Sequence, residues 1–145
     1  MQTTNRRLMW HGMFLFLLGL LTGFAETHFP NVRMGLAAHL EGVMNGIFLL
    51  AVGSAWTELR LTPALKSATF WIALYGAYMN WFFVVLAAIF GTGALSPITA
   101  TGRNALPWQE NLITAGFMSV GLAIVSCTLL LLWGFRAKAT PSSIQ

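Results

Sequence analysis

The chain of 145 residues contains no aspartate, only four glutamates and a single cysteine, Cys127. Without Asp a Ser-His-Asp triad is excluded, although Glu can take the third place. One cysteine excludes an intrachain disulfide and any CxxC redox or zinc pair. There is no HExxH segment and no phosphate-binding glycine loop. A hydrolytic metal pair needs more ligands than the apolar runs supply. Charge is scarcer still: charged residues make up 8% of the chain and hydrophobic residues 57%, with mean hydropathy +0.70. Soluble domains carry about 25% charge, so an ordinary water-soluble globule is excluded. The net charge of +4 comes from cations scattered singly or in pairs between apolar runs. They form no basic face with interleaved aromatics, so nucleic acid is not expected as a partner. They read instead as anchors flanking a lipid bilayer.

Four apolar runs, about 8–25, 34–56, 67–90 and 112–135, are each long enough for the roughly 20 residues that a bilayer core requires. The first follows Arg6 and Arg7 and ends near Ala25, in the manner of a signal peptide, but is long for an h-region and is expected to be a retained helix. Two short polar links, 26–33 and 57–66, contain Pro30 and Pro63. The loop 91–111 is rich in Gly, Thr, Ser, Asn and Pro and is expected to fold as a cap rather than hang as a floppy link. A tail, 136–145, closes the chain. Arg6, Arg7, Arg60, Lys66, Arg136 and Lys138 fall on one side and only Arg33 and Arg103 on the other. The positive-inside rule then places both termini in the cytoplasm and the long loop outside. The expectation is an all-α integral membrane protein: a single four-transmembrane-helix bundle in a bacterial inner membrane.

Ionisable and amide side chains inside a membrane need a reason, because hydrocarbon offers them no partner. The second run holds His39, Glu41 and Asn45. At about 100° per residue, Gly35, Gly42, Gly46 and Gly53 form one stripe; His39 borders it on one side, Asn45 and Glu41 on the other. Two readings stand. Gly42-Val43-Met44-Asn45-Gly46 is a GxxxG motif that lets two helices approach closely. Alternatively, a flat ligand such as a porphyrin lies on the glycines, with His39 as axial ligand to its iron. A buried Glu41 must be paired or protonated. Asn80 in the third run either bonds another helix or contacts a substrate, while Tyr75 and Tyr78 read as aromatic packing. His11 lies near the start of the first helix, roughly 10 Å or more from His39 in depth by helical rise. Bis-His ligation within one protomer is therefore not expected; His11 reads as an interfacial side chain and His28 as a solvated loop residue.

His11-Gly12 opening the first helix, and His39-Leu40-Glu41-Gly42-Val43-Met44-Asn45-Gly46 in the second, resemble the hydroxylaminobenzene mutases and, more distantly, the styrene oxide isomerases. The pattern is His-x5-Asn-Gly, then an Asn in the third helix and a polar Gly/Pro/Asn-rich loop before the fourth, over about residues 10–117. The resemblance implies a homotrimer, or stacked trimers, with haem b near the subunit contacts. It implies His39 as the iron's ligand, Asn45 beside the haem and Asn80 at the site; on the porphyrin reading of the stripe, Gly42 and Gly46 bind the cofactor. Gly76 and Val84 stand where the isomerases have Asp and Tyr, and Glu41 where they have Gly. These departures favour the mutase branch.

The reaction so implied is the rearrangement of an aromatic hydroxylamine, hydroxylaminobenzene, to 2-aminophenol, as in aromatic degradation. Ferric haem on His39 acts as Lewis acid on the N–OH oxygen. Asn45 orients the substrate and Glu41 moves a proton or stabilises positive charge. Walls of Met, Phe and Trp suit a small aromatic substrate arriving from the lipid. The alternatives are a styrene oxide isomerase-type conversion of an epoxide to an aldehyde, and a non-catalytic helix-packing subunit. A transporter is disfavoured by the lack of repeats and broken helices.

Overall fold

The computed structural model describes residues 2–100, 102–103 and 105–136. Lys138 and the tail beyond residue 136 lie outside the described residues. Five helices follow in order: α1 (Gln2–Ala25), α2 (Val32–Ser54), α3 (Pro63–Phe90), α4 (Pro97–Ala100) and α5 (Pro107–Phe135). The four long ones are each apolar enough to cross a membrane. Among the described residues there is no strand.

The helices begin earlier than hydropathy alone places them, and local chemistry explains each start. The Thr62 hydroxyl accepts the Leu65 N–H at 3.4 Å and Pro63 takes the first helical position. Proline is favoured there because its missing N–H has no helical partner to lose. Pro107 opens α5 in the same way, five residues before the apolar run. Asn31 caps α2 by accepting the Met34 N–H at 3.2 Å. At the other end of α3, Gly91 adopts φ 72°, a left-handed C-cap that side chains rarely enter.

α1 and α2 form a tight antiparallel pair in which backbone meets backbone at Gly19–Gly42 and Gly12–Gly46. A Cβ added at Gly42 would lie 2.5 Å from the Gly19 Cα, and one at Gly46 would lie 2.8 Å from the Gly12 carbonyl oxygen. α3 lies against α2 and reaches α1 through Trp81, whose indole N–H donates to the Thr22 hydroxyl at 3.1 Å. α5 packs chiefly on α3, so the bundle is open between α2 and α5. Large apolar side chains such as Trp10, Met13, Leu122 and Leu129 remain exposed along α1 and α5. That surface suits lipid or another protein chain.

Arg6, Arg7, Arg60, Lys66 and Arg136 gather at one end of the molecule, where the Arg60 N–H donates to the Gly134 carbonyl at 2.8 Å. Arg33 and Arg103 lie at the other. There the loop after α3 is folded. Glu110 of α5 accepts the Gly93 and Ala94 N–H groups at 2.8 and 3.0 Å. Asn31, 1% exposed, donates through Nδ2 to the Thr99 carbonyl at 2.9 Å. Phe90 and Trp108 meet edge to face at 5.5 Å. Replacing Glu110 by Ala removes two charge-assisted bonds, each worth about 1.5–3 kcal/mol at most. Hydrogen exchange at the Gly93 and Ala94 amides is expected to speed up while the helical core stays protected; unchanged exchange there refutes the anchor.

Candidate functional site

Glu41 and Asn45 sit one turn apart on α2, a spacing that stacks their side chains on one face. Asn45 Nδ2 donates to the Glu41 carbonyl oxygen at 2.8 Å and to Glu41 Oε2 at 3.0 Å. The backbone carbonyl only accepts, so the amide's orientation is fixed and Asn45 Oδ1 is the end left for another partner. Asn80 of α3 donates through Nδ2 to the same Oε2 at 2.6 Å. Two amides therefore bond the Glu41 carboxyl group. Every hydrogen bond its carboxylate accepts among the described residues falls on Oε2, leaving Oε1.

Glu41 and Asn45 form the polar edge of a cleft of about 260 Å³ where α2, α3 and α5 leave the bundle open. Phe48, Ile72, Ala77 and Ile124 supply apolar wall, with Cys127 and Thr128 on the α5 side. Small-molecule clefts start at roughly 300 Å³, so the space suits one small flat molecule. Gly76 lines this cleft, whereas Val84 is buried in the core. Asn80 is not in its lining: it stands behind the carboxylate and fixes it. Asn80, expected at the site, thus bonds the Glu41 carboxyl and does not line the cleft.

His39 lies on the other side of α2. Its Nδ1 is 2.8 Å from the Gly19 carbonyl oxygen of α1. A carbonyl oxygen only accepts, so Nδ1 carries the proton, and in the neutral ring Nε2 keeps its lone pair for a metal or a donor. The ring rests on Gly23, where an added Cβ would come within 2.7 Å of Nδ1. Within one chain His39 does not share the cleft of Glu41 and Asn45.

Residues 4–136 match the styrene oxide isomerase family. The chain belongs to that family. Two relatives, both from Ectopseudomonas oleovorans, are named hydroxylaminobenzene mutases. The chain is 45% identical to hydroxylaminobenzene mutase HabB over 133 residues, covering 91% of this chain and 81% of the relative. It is 43% identical to hydroxylaminobenzene mutase HabA over 124 residues, covering 85% and 92%. No solved structure matches the chain.

For this member of the styrene oxide isomerase family, the structure corrects one reading of the glycine stripe. Gly42 and Gly46 are buried against Gly19, Gly12 and Phe16 of α1, so helix contact, not an open floor for a flat ligand, occupies them. The complementary glycines of α1, Gly12, Gly19 and Gly23, stand in the sequence at helical spacing and are the signal for this pairing. His11 is also more than an interfacial side chain. Its Nδ1 meets the Tyr78 hydroxyl at 3.0 Å, tying α1 to α3, while the Tyr75 hydroxyl meets Ser119 of α5 at 2.9 Å. Both tyrosines thus bond through their hydroxyls rather than only packing. His28 is exposed, as a loop residue should be. His39 lies beside Gly19 and Gly23, eight to twelve residues along α1 from His11, or roughly 12 Å or more.

Proposed function

We propose that the chain rearranges an aromatic hydroxylamine to an ortho-aminophenol, with hydroxylaminobenzene giving 2-aminophenol. The observation that carries this reading is the Asn80–Glu41–Asn45 cluster at the edge of an otherwise apolar, ring-sized cleft. The names of the relatives HabB and HabA point to the same reaction.

Substrate and product are isomers. The N–O bond breaks, an O–C bond forms at the ortho carbon, that carbon loses a proton and the nitrogen gains one. Breaking the N–O bond leaves positive charge spread over nitrogen and ring. Glu41 is the one acidic side chain lining the cleft, and it faces that charge. Its Oε1 accepts the ortho proton and returns it to nitrogen, while Asn45 and Asn80 hold Oε2 still. Asn45 Oδ1 accepts the substrate N–H and so fixes which ring edge meets the carboxylate. Phe48, Ile72 and Ile124 exclude water, which otherwise competes for the cationic ring.

Haem b suits His39 by its donor chemistry. The imidazole presents Nε2 with Nδ1–H tied to a backbone carbonyl, the outer-shell bond that metal-bound histidines use to fix tautomer and ring orientation. When bound, haem b supplies a Lewis acid for the departing oxygen. Gly42 and Gly46 are excluded from its contact surface by α1. Because His39 and Glu41 face opposite sides of α2, we assign the active unit to a homo-oligomer, a trimer or stacked trimers, in which the His39 face of one protomer lies against the Glu41 cleft of the next. The bilayer is the inner membrane, with both termini on the cytoplasmic side. That orientation follows from the basic residues gathered at one end.

The deciding assay incubates the purified chain with hydroxylaminobenzene in ¹⁸O-labelled water. Unlabelled 2-aminophenol supports the intramolecular transfer; labelled product or none refutes it. Styrene oxide in a parallel incubation tests the epoxide reaction, and turnover of that compound alone assigns the chain to the isomerase activity. Replacing His39 by Ala is expected to abolish the Soret band of the purified protein and turnover together. A variant that keeps both removes His39 from the site.

A further inference from the structure

At the end of the molecule that carries most of the cations, a second cleft of about 280 Å³ lies between the first turns of α1 and α3 and the end of α2. Its wall contains two cations, Arg7 and Lys66, and two hydroxyls, those of Thr4 and Ser67. No acidic side chain lines it. The Arg7 guanidinium sits 5.1 Å from the centre of the Phe70 ring, which holds it over the cleft instead of letting it swing free. The floor is aromatic, with Trp56 buried and Trp71 60% exposed. Nothing in the proposed rearrangement uses these residues.

Diffuse anchoring cations stand singly on helix ends and reach outward. Arg7 and Lys66 instead line one cleft from two helices that are distant in sequence, together with the hydroxyl residues Thr4 and Ser67. Arg suits bidentate contact with phosphate oxygens, and Lys adds a point charge. The start of α3 adds the positive end of a 28-residue helix. An exposed Trp beside such a cleft, about two turns into α3 from its polar end, belongs near headgroup depth. Basic pockets between membrane helices recognise anionic headgroups in this way. We infer that the cleft of Arg7, Lys66, Thr4 and Ser67 is a binding site for the phosphate of an anionic phospholipid.

Native mass spectrometry of the intact chain released from detergent tests the site, with phosphatidylglycerol, phosphatidylcholine and inorganic phosphate as probes. The wild-type chain is expected to retain phosphatidylglycerol over phosphatidylcholine, and inorganic phosphate is expected not to displace it. The Arg7→Gln/Lys66→Gln variant is expected to bind phosphatidylglycerol about tenfold or more weakly. Arg60→Gln/Arg136→Gln, which removes the same charge from the same end outside the cleft, is expected to retain it. Arg7→Lys/Lys66→Arg keeps both charges and is expected to keep most of the binding. Equal retention of the two lipids overturns the inference, and that comparison needs no variant. Equal weakening by both charge-removing pairs reduces the cleft to diffuse attraction and also overturns it. Displacement by inorganic phosphate overturns the lipid assignment.

Discussion

Replacing Glu41 by Gln is expected to lower turnover of hydroxylaminobenzene about 10²-fold or more while leaving the fold intact. The size follows from the role. Proton transfer by a positioned side chain contributes about 10²–10⁴-fold, and Glu41 is the only acid bordering the cleft. Glutamine keeps the volume, and its carbonyl oxygen can take the place of Oε2 as acceptor for Asn80 at 2.6 Å and Asn45 at 3.0 Å. What it loses is the ability to take the ortho proton and give it to nitrogen. Helix content by circular dichroism and the thermal midpoint are expected to stay near wild type. Replacing Asn80 by Ala differs in kind. It frees Oε2 from one donor without touching substrate, so its loss of turnover is expected to be smaller. If Glu41→Gln retains wild-type turnover, the carboxylate is structural and the proton is carried elsewhere.

The sequence made the four long helices readable because their apolar runs are as long as a bilayer demands, unlike the stripes of a soluble helix. It was less informative about where helices start. The first turns of α1 hold Thr3, Thr4, Asn5, Arg6 and Arg7, a polar stretch that hydropathy assigns to a flank although the backbone is already helical. Thr62-Pro63 was a legible start signal for α3, since a hydroxyl cap followed by proline satisfies the first turn. The pairing of Glu41 with Asn45 was implicit in their spacing of four residues. That with Asn80 was not, because the register between α2 and α3 depends on how the intervening link folds and on which side chains meet across it. The same limit hid His11 from Tyr78, 67 residues away. The glycine stripe was visible, but a stripe alone does not say what covers it. Only the second stripe on α1, set against it, decides between a helix and a ligand.

That decision yields the other large effect. Replacing Gly42 by Leu is expected to disrupt the α1–α2 pair and to lower the yield of folded protein, with a stability loss of about 3 kcal/mol or more at the upper end of overpacking costs. A Cβ at Gly42 would meet the Gly19 Cα at 2.5 Å and the Gly19 N atom at 2.9 Å, backbone atoms that cannot swing aside, with the Trp81 ring also at 2.9 Å. Gly19→Leu is expected to do the same from the opposite helix, since an added Cβ there meets the Val43 N atom at 2.5 Å and the Gly42 carbonyl carbon at 2.7 Å. Were Gly42 the floor of a flat cofactor, the outcome would be different: the substitution would cost cofactor binding while the apoprotein kept its helices and its thermal midpoint. Gly19, on another helix and facing Gly42, would then tolerate replacement. The paired loss at Gly42 and Gly19 therefore tests whether the glycines join two helices of one chain. It also tests the placement of His39, whose imidazole is held by the Gly19 carbonyl at 2.8 Å. Any shift of α1 that relieves the clash must move the group that orients Nε2. A milder change, Gly23→Ala, meets the imidazole at 2.7 Å from Nδ1 and leaves the Gly19–Gly42 contact alone. It is expected to alter the Soret spectrum and turnover with little loss of fold, which separates the role of α1 in holding α2 from its role in aiming His39.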